Sequence, residues 1–197
     1  MATRAFMGTI AGGALEGARP LGASGLVRFT DAGGQVWERP RADAWPRIAH
    51  IYALNVARTL TWEYASSAES PTLSPTFRAP FTLTRIRADA PRVWQSLVDG
   101  ARAVAVAGDE PGAGILLWGG YRQDSTRCIA CILGETTIEP RRRVTLLTEQ
   151  QTSLTDSGAP EHHIHQVIGR ENRLHIFADA EWWTADVPIA QLTYHSL

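Results

Sequence analysis

Lysine is absent from this 197-residue chain, and all 19 of its basic residues are arginine. That excludes a Schiff-base lysine, a lysine general base and the lysine of a phosphate-binding P-loop. An excess of one charge is also missing. The formal net charge is -1, so no overall field draws the chain to nucleic acid or to an anionic membrane. No stretch approaches the roughly 18 apolar residues of a membrane span. The apolar run after Arg4 is short, glycine-rich and ended by Glu16, so no signal peptide is read and a virion or cytoplasmic location is expected. There is no Gly-x-Ser-x-Gly, no glycine-rich phosphate loop after a strand and no His-Glu-x-x-His. Acidic residues are scattered rather than paired. These absences lead us to expect neither an enzyme nor a cofactor.

Cysteine is scarce. The two present, Cys128 and Cys131, have the C-x-x-C spacing of redox and zinc sites. They lie within Arg127–Leu133, which reads as a strand. Residues three apart on a strand face opposite sides, so the two thiols are expected to be separate and unbonded. No second cysteine pair is available to complete a zinc site.

What is present points to strands. The chain is 44% hydrophobic and 20% charged, the balance of a folded domain rather than a disordered one. Val104–Val106, Ile115–Trp118, Cys128–Leu133 and Val144–Thr148 are short apolar runs bounded by Gly and Pro, the pattern of buried strands. Leu26–Thr30 and Gln35–Arg39 flank Asp31–Gly34, a hairpin signal. Arg47–Ala57 fits two periods: Ile48, His50, Tyr52, Leu54 and Val56 alternate as on a strand, while Ile48, Ile51, Tyr52 and Val56 also make a helical stripe. A strand is expected because Thr59–Tyr64 continues the period-two pattern, as does Phe81–Ile86. The Pro-, Ser- and Thr-rich stretch 66–80 reads as a surface loop. The spacing of Val93, Trp94, Leu97 and Val98, with Asp89 as cap, Pro91 in the first turn and Gly100 as terminator, predicts one helix over about 89–99. The fold expected is mainly β, a β-sandwich or β-barrel-like domain over 26–197. Residues 1–25, rich in Gly and Ala, are expected to form an extended arm.

Three groups of residues suggest function. Arg141–Arg143 precede a strand and read as solvated charges that discourage edge pairing, so nucleic acid is not the expected partner. Trp182 and Trp183 would face opposite sides of a strand, one in the core and one as an interface anchor or sugar-stacking platform. Four of the six histidines lie at 162, 163, 165 and 175. His163 and His165 would share a face, with His175 on the paired strand. Gly158, His163, His165 and Glu171 resemble the first motif of the cupin family. The resemblance covers residues 158–171 and implies a barrel enzyme holding a metal through His163, His165 and His175. The pattern departs in that the Gly-to-His spacing is one residue short, and Glu171 falls too far downstream, in a hairpin turn. No second cupin motif follows.

The reading that fits these features is a non-enzymatic structural or assembly protein acting through protein–protein contacts with itself or other structural proteins. A bacteriophage tail, baseplate or head accessory component would have this character. Its interface residues would be Phe6, Met7, Ile10 and Leu15 of the arm, with Trp182 and Trp183. A cupin-like metal enzyme and a carbohydrate-binding β-sandwich are the alternatives.

Overall fold

The computed structural model describes residues 3–7, 26–40, 45–67, 81–87, 90–145, 164–178 and 181–187. Over these residues the chain forms three sheets. The first is β1 (Thr3–Met7), β2 (Leu26–Thr30) and β3 (Gln35–Glu38), in that order. The second has eight strands: β4 (Ile48–Val56), β5 (Thr61–Ser67), β6 (Phe81–Arg87), β7 (Ala90–Ser96), β8 (Ala103–Ala107), β9 (Gly114–Trp118), β10 (Arg127–Leu133) and β11 (Thr137–Thr145). Their spatial order is β4-β5-β6-β7-β11-β10-β9-β8, antiparallel except at β7–β11. The third is β12 (Ile164–Arg170), β13 (Arg173–Ala178) and β14 (Glu181–Asp186).

The eight-stranded sheet curls into a nearly closed barrel, which brings its edge strands β4 and β8 together. Strict alternation decides what fills it. Trp62 and Tyr64 point inward, as do Leu83, Trp94, Ile115, Leu117, Ile129, Cys131 and Leu133. Side chains therefore pack the interior solid, as expected of a barrel of this size. The two indoles Trp62 and Trp94 lie 5.7 Å apart, both fully buried. Each such ring contributes about 4–6 kcal/mol of gross transfer free energy.

The outward residues of β8, β9 and β10 are apolar too. Ala103, Ala105, Leu116, Trp118, Cys128 and Ala130 pack against Val167, Leu174, Ile176 and Ala185 of the third sheet. Covering on both faces explains why these strands read as unbroken apolar runs rather than as alternating ones. The first sheet lies over another part of the wall, where Leu26, Trp45 and Ile86 cluster with Trp37, Ile51 and Leu54. Beside that cluster Arg39 and Glu63 form a buried ion pair in which Nη1 alone donates to both carboxylate oxygens; Nη2 donates to the Pro46 carbonyl at 2.9 Å, and the guanidinium lies over the Trp45 ring.

The seam between β4 and β8 is closed by a graft. The turn of the β12–β13 hairpin enters it, and the Glu171 carbonyl accepts from Val106 N–H at 2.9 Å. The side-chain amide of Asn55, wholly buried on β4, donates to the carbonyls of Val104 (3.0 Å) and Glu171 (2.6 Å). Its oxygen accepts from Glu171 N–H at 2.6 Å. Gly169 permits the approach, since a Cβ there would stand 1.7 Å from the Val104 carbonyl oxygen.

One expectation is corrected. Residues 90–96 are strand β7, not helix; the register Arg87↔Ala90 makes β6–β7 a tight hairpin. Asp and Pro favour turns as much as helix starts, and a stripe spanning so few residues cannot separate the two periods. Trp94 faces Leu83 across the ladder and enters the barrel, whereas Leu97 is 67% exposed. Pro91 is tolerated because β11 pairs β7 only at Gln95 and Ser96, so no neighbour on that side needs its missing N–H. Of the arm expected over 1–25, only Thr3–Met7 is described. That segment is a strand, β1, which pairs antiparallel with β2 of its own chain. Ile10 and Leu15 lie outside the described residues.

Candidate functional site

The third sheet has one face against the barrel and one turned outward. The outward face is built from three rungs that the register defines: Gln166–Phe177–Trp182, Ile168–His175–Thr184 and Arg170–Arg173–Asp186. Alternation places these side chains outside because Val167, Leu174, Ile176 and Ala185 are committed to the core.

The rungs grade from apolar to charged. Trp182 and Ile168 are each 42% exposed. Trp182 stacks on Phe177 with centroids 5.6 Å apart and planes 17° from parallel, and meets His175 at 5.4 Å. At the other end Arg173 grips the Asp186 carboxylate with two donors, one at 2.9 Å. His175 is held below the ordinary imidazole range, chiefly by burial and then by Arg173 and Arg170, with Asp186 opposing. Its Nδ1 is buried and has no hydrogen-bond partner among the described residues. An apolar-aromatic centre beside a charged margin is the composition of a contact surface.

Among the described residues, His165 and His175 are not brought together. His175 stands opposite Ile168, whereas His165 is exposed at a bulge between Ile164 and Gln166. Three strand positions separate the two, about 7–10 Å, too far to share a metal with bonds of ~2.1 Å. His162, His163 and Gly158 lie outside the described residues. Glu171 occupies the hairpin turn at φ +52° and contributes its backbone to the seam. Among the described residues no group of three or more His, Cys, Asp or Glu is placed to hold a metal.

Trp182 and Trp183 separate as their alternation requires, Trp182 outside and Trp183 packed against the core beneath the sheet. Phe6 and Met7 lie on β1, across from Val27 and Leu26. Arg141 pairs with Glu139 at 2.7 Å and Arg143 with Asp124 at 3.2 Å, which leaves little of the arginine run for phosphate. Among the described residues no helix is long and apolar enough to cross a membrane.

Sequence reasoning missed the two barrel ends. At one end Tyr52, Phe81 and Tyr121 pack edge to face at 5.1–5.9 Å, with Tyr64 stacked on Phe81 at 5.6 Å. The Tyr52 and Tyr121 hydroxyls are hydrogen-bonded, and this bond, with burial second, pushes the Tyr121 phenol up to about 12. At the other end Arg85 and Arg87 share the Asp109 carboxylate at 3.0 and 3.1 Å, and Arg92 reaches Glu110 and Glu135. At both ends the named side chains are partnered with one another. Neither was legible, because each joins residues from distant strands.

No protein family, no curated protein and no solved structure matches this chain.

Proposed function

We propose that the chain is a non-enzymatic structural protein that assembles with copies of itself, using the outward face of the third sheet as its contact surface. The observation that carries this reading is the rung Gln166–Phe177–Trp182 with Ile168 beside it. These large side chains are on the solvent side of a sheet whose inner face already has a full core, so folding alone gives no reason for them. Exposed aromatic clusters rimmed by charge supply most of the energy of protein contacts. The packed barrel supports a scaffold role, since its interior is core and not a substrate cup. A virion setting is favoured by composition alone, through the seven Trp and the Pro-, Ser- and Thr-rich stretch.

A second reading has one observation of its own. An exposed indole with Thr184 two residues along the same strand face is also what a sugar-stacking surface needs. Sedimentation velocity over a hundredfold concentration range, beside glycan-array binding, separates the two. The assembly reading expects sedimentation that rises with concentration and is abolished by Trp182→Ser with Ile168→Ser. Glycan binding by a chain that stays single, lost in the same variant, replaces it with the sugar reading.

A further inference from the structure

The two outer strands of the first sheet are attached in different ways. β3 follows β2 through a tight turn, with Thr30 N–H donating to the Gly34 carbonyl at 2.8 Å and Gly33 N–H to the Thr30 carbonyl at 3.0 Å. That hairpin can form only within a chain. β1 reaches the other edge of β2 after residues 8–25, a connection of 18 residues that includes six glycines and four alanines. Its ladder has five rungs: Thr3↔Thr30, Arg4↔Phe29, Ala5↔Arg28, Phe6↔Val27 and Met7↔Leu26.

Such a ladder is held by main-chain hydrogen bonds, which are the same whether the strand comes from the same chain or from a copy. A connection of 18 residues can reach at most roughly 60 Å. It therefore allows β1 to lie on a neighbouring molecule. Its effect on the choice is quantitative. Covalent attachment through so few residues gives β1 an effective concentration at its own β2 of the order of millimolar, so the strand stays home in a dilute chain. Copies held side by side present their β2 edges at similar local concentration, and exchange then costs almost nothing, since every hydrogen bond lost is remade.

Resting on the assembly reading above, we infer that assembled copies exchange their N-terminal strands, β1 of one molecule adding to β2 of the next. The partner of this edge is a second copy of this chain. The third-sheet contact brings copies together and the strand exchange ties them, so the two surfaces act in series.

The register supplies the test. Ala5 and Arg28 are opposite each other, Arg28 is exposed, and the two native thiols are buried and unavailable. Full-length Ala5→Cys and Arg28→Cys chains are mixed at high concentration, oxidised and run on a non-reducing denaturing gel. The double variant is treated in parallel, and light scattering records the mass before oxidation. The inference expects a covalent heterodimer in the mixture, falling at least tenfold on dilution to where the mass is that of one chain. It expects interchain bridges in the double variant at high concentration. Bridges only within chains, in a sample whose mass shows assembly, overturn the exchange and leave the assembly reading standing. A single-chain mass at every concentration overturns both. No bridge of either kind removes the β1–β2 ladder and the inference with it.

Discussion

Asn55 supplies an amide where the barrel's two edge strands would each need a neighbour. Its side chain bonds Val104 and both main-chain groups of Glu171, residues 49 and 116 positions away. Asn55→Ala leaves these groups buried and unsatisfied, an expected loss of about 2–4 kcal/mol in urea unfolding. Gly169→Ala forces a methyl group into the Val104 carbonyl, and because backbone must move we expect a loss of at least about 3 kcal/mol. Loss of less than about 1 kcal/mol in both would mean that the seam is not latched there. The buried Arg39–Glu63 pair makes a different prediction. Arg39→Met strands a carboxylate that burial already pushes above its ordinary range, Arg39 opposing, and should cost about 3–5 kcal/mol near neutral pH. A carboxyl raised in the folded state stabilises when protonated, so that cost should shrink as pH falls and grow as it rises. Arg39→Met with Glu63→Leu should recover most of it. The cysteines test the strand reading of Arg127–Leu133. Cys128 faces the third sheet and Cys131 the barrel interior, and burial pushes both thiols up to about 12. Native protein should resist alkylation, and both thiols should react once it is unfolded; a 128–131 bridge would contradict the fold.

Elements were legible in proportion to how local their signal is. The Leu26–Glu38 hairpin follows from its glycine turn, and the alternation of β4 and β5 from strand periodicity. The apolar runs Ile115–Trp118 and Cys128–Leu133 are strands covered on both sides, as their composition indicated. Where two periods compete the reading failed, as with β7. β11 starts earlier than expected, at Thr137, because Pro140 sits next to a bulge where Arg141 is the extra residue, and a bulge admits a proline. At the candidate site the Trp182–Trp183 alternation was visible, but the partners Phe177 and Ile168 depend on cross-strand register, which no single strand reveals. The third sheet carries its own prediction. His175 is lowered by burial and by Arg173 and Arg170, so the folded state favours the neutral ring. The stabilisation is complete above the unfolded value of about 6.5 and is lost as pH falls below it. On β14 Thr184 stands opposite His175, and Trp182 and Asp186 also face it. A titration of melting temperature from pH 7.5 to 5 should show wild type losing more stability than His175→Gln; equal losses would remove His175 as the cause.

At the scale of the whole molecule, the barrel is the fixed part and the flanking sheets are what it presents. One flank latches the seam through the β12–β13 turn and turns Ile168, Phe177 and Trp182 to solvent. The other ends in a strand attached by a long connection. A structural protein assembling through these flanks needs no chemistry inside the barrel, in keeping with a core filled by Trp62 and Trp94. The claim on which the account depends is that the outward face of the third sheet is a protein contact. Light scattering on the full chain, beside a Trp182→Asp variant whose melting temperature matches wild type, tests it most directly. Contact through this face gives a wild-type mass that is a whole multiple of one chain at high concentration, and a variant mass of a single chain. Identical masses for the two proteins would contradict it.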